Sequence, residues 1–413
     1  MHQGRTMKAF CLLLLLLVSS AFAQEKGKSI SDIQKVVNDT LASKWYERIQ
    51  MKGYAQMRYS RLFETNSNFT HATNDKSIGN NKGFFLRRAR LNFFGEVTDR
   101  VYIYIQADYS QDAGTSGMSQ NYLQLRDGYF DYALTDDKEW RVRTGVSKVP
   151  YGFDNLQSSS NRGPLDRSDA MNTGAPNERD TGLFLMYAPT EIRKRFKELT
   201  ANNLKGTGDY GMVAIGAYNG QTLNKGEENN DLHRVVRFTY PFKLASGQFI
   251  EASVQAYEGK FKTAGTGAAV GAADFYDQRS AASLIVYPQP VGFQVEYNVG
   301  QGPEYDKDKL KVASGKLSGG YAMVNYSANY KNHRFLPYAR YQEYEGGRKI
   351  DNANRMQTRE WEFGTEWQPN PALEITAAYA VSNRIVESAT SATTFTASNQ
   401  NGQMLRLQAQ FNY

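Results

Sequence analysis

The chain holds one cysteine in 413 residues, Cys11. It lies early in an N-terminal apolar run and not at its end with a lipobox, so lipidation is not expected and the mature chain is expected to carry no cysteine. Disulfide staples are then excluded, and the fold must hold by hydrogen bonding and packing. Long apolar runs are missing as well: beyond the leader there are none, and the mean hydropathy is −0.60. That excludes transmembrane helices. It leaves a transmembrane β-barrel open, because barrel strands alternate lipid-facing with lumen-facing side chains and keep a low mean hydropathy. Histidine is scarce too. His71, His233 and His333 have no ligand-spaced companions, so no metal site and no cofactor is expected, and no His beside a Ser suggests a hydrolase.

The leader itself is informative. Arg5 and Lys8 precede the apolar run Phe10 to Val18, and Ala21-Phe22-Ala23 supplies a cleavage site before Gln24. Residues 1–23 are therefore expected to be a secretory signal peptide. Lys and Arg total 49 against 42 Asp and Glu, a mild excess that is spread along the chain. A nucleic-acid binder concentrates its basic residues into a patch, so nucleic acid is not an expected partner. Residues 24–48 read as a periplasmic extension, partly helical: Ile33, Val36, Val37 and Leu41 recur at helical spacing, and Ser31 with Gln34 resembles a capping box.

From about residue 49 to Tyr413 the apolar period becomes two. Ala89, Leu91 and Phe93 alternate with Arg88, Arg90 and Asn92; Trp361 and Phe363 alternate with Glu360 and Glu362. The terminal segment MLRLQAQFNY places Leu405, Leu407, Ala409, Phe411 and Tyr413 on one face and Arg406, Gln408 and Gln410 on the other. A charge on the lipid face costs about 2 to 4 kcal/mol at the midplane, so the polar faces must look inward. About sixteen such strands can be counted, joined alternately by short turns and by long polar segments such as 62–83, 110–120, 150–179, 220–231, 259–277, 300–318 and 383–402. Loops sorted by length onto two ends are the layout of a membrane barrel. The 27 Tyr and 22 Phe suit its interfacial belts. The expected fold is an all-β, antiparallel transmembrane barrel of about sixteen strands with a short N-terminal helical extension. One segment does not fit: 190–208 is long and basic where a short turn is expected.

A barrel of this size encloses water, and its lining charge and diameter decide what passes. The segment 139–185 is the richest in charge. Arg141 and Arg143 share one strand face, and Arg162, Asp166, Arg167 and Arg179 lie on or beside the long loop 150–179, which is expected to fold inward as the third loop. Four runs here, GFFLRRARLNFFGEV (83–97), VRTGVSKVPYGFD (142–154), PLDRSDA (164–170) and RDTGLFL (179–185), resemble blocks of the phosphate-selective porin O and P family, in order and at plausible spacing. The resemblance implies a Gram-negative outer-membrane homotrimer, surrounded by outer-membrane lipid, that passes inorganic anions or other small solutes. It further implies an arginine-lined pore, with Arg88, Arg90, Lys148, Arg167 and Arg179 on matching positions. Arginine is shaped to replace phosphate hydration with charged hydrogen bonds. Arg141, Arg143 and Arg162 complete the candidate set, and Asp166 and Asp180 are expected to anchor the loop to the wall through Arg167 and Arg179.

The acids complicate this. Glu360, Glu362, Glu366, Asp108, Glu251, Glu296 and Glu374 also fall on inner faces, so the lining is mixed and suits a general porin with a modest preference for anions. The competing expectation is a plugged structural or adhesion barrel that presents long extracellular loops.

Overall fold

A computed structural model describes residues 44–63, 82–111, 121–263, 273–349, 353–391 and 394–413. The expected leader and the helix expected over Ile33 to Leu41 lie outside the described residues, as do most of 62–83 and of 110–120 and the middle of 259–277. Trp45–Arg48 forms a 3-10 turn.

Sixteen antiparallel strands follow. They are β1 (Ile49–Leu62), β2 (Lys82–Glu96), β3 (Val101–Gln111), β4 (Asn121–Ala133), β5 (Trp140–Lys148) and β6 (Arg179–Tyr187). Next come β7 (Val213–Tyr218), β8 (His233–Lys243), β9 (Phe249–Lys262), β10 (Asp274–Val286) and β11 (Val291–Asp306). The last are β12 (Lys311–Tyr326, continued by Ala328–Tyr330), β13 (His333–Arg348), β14 (Asn354–Asn370), β15 (Leu373–Ser391) and β16 (Thr394–Asn412). Each pairs with its neighbours in sequence, and β1 pairs with β16 to close the barrel, Tyr54 opposite Asn412 and Arg61 opposite Leu405. Closure removes the sheet edges that lipid could not satisfy.

The period of two is what sorts the side chains. Along β8, His233, Val235, Arg237 and Thr239 are buried inside, while Val236 and Phe238 face outward. The terminal strand behaves as its alternation predicts: Leu407 and Phe411 face lipid, and Arg406, Gln408 and Gln410 are buried within. At the seam, Gly53 exchanges backbone hydrogen bonds with Tyr413 (2.6 and 2.9 Å), and the Tyr413 hydroxyl donates to the Arg90 carbonyl at 3.2 Å. A Cβ on Gly53 would stand 2.3 Å from that carbonyl and 2.4 Å from the Tyr413 ring. Gly53→Ala is therefore expected to destabilise the closed barrel by about 1 to 3 kcal/mol, the usual cost of overpacking. A lowered temperature for the loss of the compact, fast-migrating form on gel electrophoresis is the expected readout; an unchanged one would show that the seam tolerates a methyl group.

Two expected loops are not loops. Apart from the turn 307–310, residues 300–318 belong to β11 and β12, paired without interruption from Val291 opposite Tyr326 to Asp306 opposite Lys311. Residues 383–391 and 394–402 belong to β15 and β16, which pair as far as Ser391 opposite Thr394. Outside the apolar band a strand has water on its outer face and no longer needs apolar residues there. Polar composition was thus misread as loop. The ladder continues because its backbone groups still pair.

The segment after β6 is also not a turn. Residues 190–201 form α3 (Thr190–Ala201), so numbered because α1 (Phe153–Leu156) and α2 (Asp169–Asn172) precede it. Ile192, Phe196 and Leu199, spaced for one helical face, are buried against Phe249, Ile285 and Tyr287 of the wall and Phe153. A basic face remains on the other side. The sequence looked wrong for a turn because it encodes an amphipathic helix turned into the barrel.

Candidate functional site

Loop 3, residues 149–178 between β5 and β6, runs inside the barrel and is buried along nearly all its length. Wall residues hold it from many directions. Gln56 on β1 and Gln410 on β16 donate to the carbonyls of Ser159 and Ser160. Glu296 on β11 accepts the backbone N–H groups of Phe153 and Asp154 at 2.6 and 3.1 Å. Arg279 on β10 donates to Thr173, and Tyr257 and Lys349 both donate to the Gly174 carbonyl. Because a loop has many backbone groups without partners of its own, a polar inner wall is what lets it dock here.

The expected carboxylate anchors sit differently from one another. Asp166 bridges Arg58 on β1 (3.2 Å) and Arg406 on β16, and not Arg167 or Arg179. Arg340 donates to its backbone carbonyl at 2.8 Å. Burial alone raises this carboxyl, but Arg58 and Arg406 outweigh it and hold it well below the usual carboxylate range. Asp180 pairs with no arginine among the described residues: it accepts the N–H groups of Thr181 and Gly220 and so fixes the segment after β7.

The arginines fall into three groups. Arg90, Arg167 and Arg179 belong to one chain of ion pairs: Arg90 to Asp108 (3.0 Å), Arg126 to Glu178 (3.2 Å), Arg167 to Glu178 (2.5 Å), and Arg179 to Asp127 (2.8 Å) and Glu178 (2.6 Å). Glu178 is desolvated, yet Arg167, Arg126 and Arg179 keep its carboxyl well below the ordinary value. Arg141 and Arg143 stand nearer the short-turn end, on Asp209 (2.7 Å) and Asp131 (2.7 Å). Arg88, Arg162 and Lys148 have no carboxylate partner among the described residues. The Nε of Arg88 and the Nε and Nη1 of Arg162 are buried without an acceptor there. Lys148 donates to the Leu156 and Gln157 carbonyls, 2.7 Å each.

Residues 188–212 form a strap across the bore. Lys205 is buried and reaches Glu366 on β14 (2.7 Å) and Glu374 on β15 (3.7 Å), half-way round the strand order from β6. Asn203 donates to Gln368. Loop 3 meets the strap from above, Gln157 and Asn161 donating to the carbonyls of Lys205 and Gly206. The apolar face of α3 fills the bore on the β8–β10 side. What stays open is a vestibule of about 870 Å³ along β1–β5, bounded by loop 3 and the basic face of the strap. Ten basic side chains line it against five acidic ones. Even after Asp136 and Glu191, which pair with Arg100 and Lys194 at its rim, the balance is positive.

Several of these residues escaped the sequence reading. Glu178 and Lys205 are single charges in irregular segments, with no periodicity to place them. Arg58 lies on an alternating strand and is readable as inward-facing, but its partner Asp166, far off in sequence, is not.

A closed sixteen-strand barrel with sorted ends and an inward third loop is porin geometry, and residues 63–413 match the family described as Phosphate-selective porin O and P. The chain belongs to that family. Like other members of this porin class it resides in the outer membrane of a Gram-negative cell, and its family and fold are those of channels. Solved structures with the same fold include the outer membrane channel DcaP of Acinetobacter baumannii (14% identity, TM-score 0.52, covering 88% of this chain and 97% of that one). The trimer form of OmpT, an outer membrane protein of Vibrio cholerae, shares 8% identity with a TM-score of 0.53 over 88% and 99% of the two chains. Salmonella typhi OmpF in complex with daunomycin shares 11%, with a TM-score of 0.52 over 88% and 97%. Comparison with curated protein sequences gives no match.

Proposed function

We propose that this porin passes small hydrophilic solutes by diffusion with a preference for anions, phosphate among them, and that it works as a homotrimer. The observation that carries the preference is the positive balance of the vestibule. A low-dielectric wall focuses such a field and raises the local concentration of counter-ions. Arg88, Arg162 and Lys148, with N–H groups not committed to carboxylates, are the proposed anion contacts; Arg90, Arg141, Arg143, Arg167 and Arg179 set the field while bracing the wall. The trimer form of OmpT on the same fold supports the assembly. In a potassium chloride gradient across a planar bilayer, the purified protein is expected to show a chloride-directed reversal potential and a current reduced by added phosphate. A cation-directed potential would overturn the preference.

A second reading has its own support. Loop 3 is hydrogen-bonded to strands around most of the circumference, and the strap crosses the bore beneath it. A barrel so filled would present its tall outer hairpins to partners and conduct nothing. Absence of any conductance in the same measurement would favour that reading.

A further inference from the structure

An inorganic anion needs only a few N–H groups, yet the vestibule is far larger and is walled by rings. A volume of about 870 Å³ lies in the range that holds an organic ligand of drug size. Tyr54, Tyr102, Tyr104, Tyr129, Tyr210 and Tyr413 line it, interleaved with the cations. Four neighbouring elements contribute to one stack. Phe94 on β2 meets Tyr104 on β3 at 6.1 Å, and Tyr104 stacks on Tyr129 of β4 at 5.4 Å and 16°. The Arg143 guanidinium then lies 4.0 Å from the Tyr129 ring and 5.2 Å from Tyr210 on the strap. At the other end the Lys52 ammonium sits 4.6 Å from Phe94.

Stacking of this kind has a chemical consequence. The faces of Tyr104 and Tyr129 cover one another, so a visitor meets ring edges and phenol hydroxyls. Ring edges are the positive part of the aromatic quadrupole, and they attract the π face of another ring edge-to-face. They also repel no anion. Lys148 lines the same cavity; it spends two donors on carbonyls, and an ammonium has three. The vestibule therefore offers ring edges that suit a flat aromatic body and a lysine that suits an oxyanion.

We infer that the vestibule binds organic phosphates or carboxylates that carry an aromatic ring, in preference to inorganic anions. This rests on the anion preference proposed above and names the class of solute it serves. The ring lies against the edges of Tyr104 and Tyr129, and the anionic group reaches Lys148.

The test is calorimetric titration of the purified protein in detergent with phenyl phosphate, inorganic phosphate and phenol, a measurement that needs no conductance. Phenyl phosphate is expected to bind about tenfold tighter than inorganic phosphate, the factor that one or two edge-to-face contacts supply. Joint replacement Tyr104→Leu and Tyr129→Leu is expected to bring phenyl phosphate down to the level of inorganic phosphate, and Tyr104→Phe with Tyr129→Phe to keep the gap. Equal affinities for the two phosphates in the native protein would overturn the inference, whether or not the leucine variant folds. If phenol instead binds as tightly as phenyl phosphate, the ring site stands and the anion preference fails, so the two failures are told apart.

Discussion

Replacing residues 190–210 by a short Asn-Gly turn is expected to raise the single-channel conductance several-fold. The other short connections show that the barrel itself needs no more than a turn here: Leu244 to Gln248 and Pro288 to Pro290 link strands of the same ladder. What the strap adds is obstruction. Its helix occupies the bore beside β8–β10, and Lys205 ties its far end to Glu366 and Glu374. Conductance follows the narrowest aqueous cross-section and its charge, so removing the strap should add the occupied half to the vestibule. Selectivity should move in the opposite sense. Without Lys205, Arg193 and Lys197, while Glu366 and Glu374 remain, the enlarged lumen loses positive charge, and the reversal potential should drift toward cations. Stability should fall as well, since Phe249, Ile285 and Tyr287 lose the apolar helix face that covers them. Unchanged conductance with a folded barrel would show that loop 3 alone sets the resistance.

The strap also marks the boundary of what could be read from residues alone. Within the membrane the environment is imposed from outside: lipid demands an apolar face and hydrogen bonding demands pairing, so the period of two at Leu405 to Phe411 or Val235 to Phe238 had one reading. Beyond the apolar band that constraint is lifted. There, 383–402 and 300–318 look like loops while their backbones go on pairing. For 190–208 the helical spacing of Ile192, Phe196 and Leu199 was present in the sequence, and only the prior expectation of a turn hid it. Charges are the hardest case. The inward position of Arg88, Arg90 and Glu362 follows from alternation, but whether an arginine is paired depends on residues of other segments, as Arg406 with Asp166 of loop 3 and Glu362 of β14 shows. Asp180, expected to anchor the loop through an arginine, accepts backbone N–H groups instead.

The same dependence makes Asp166 the residue whose loss should change the pore most for the smallest change in shape. Asp166→Asn keeps the volume and one acceptor but removes the charge that joins loop 3 to Arg58 and Arg406. Removing one partner of a buried pair leaves an uncompensated cation, and the cost here is expected on the order of 3 kcal/mol. It stays at the low end because Gln408 still accepts from Arg58, and Glu362 still holds Arg406 at 2.7 Å. A rim pair such as Arg100 with Asp136, both well exposed, should show no measurable change on the same substitution, because water screens it. With the latch released, the lumen gains net positive charge at the level of loop 3. Anion selectivity should rise, and loop 3 should become accessible to a protease added to the bilayer. The pH dependence separates this from a general weakening. Because its folded value is depressed, the stability Asp166 contributes is present above the ordinary aspartate value of about 3.9 and is lost only as pH falls through the lower folded value. Asp166 is then ionised at about pH 7 and at about pH 5 alike. The difference between wild type and Asp166→Asn should accordingly be the same at both. If that difference disappears at the lower pH, Asp166 takes up its proton there and the arginine pair does not hold it as the geometry requires.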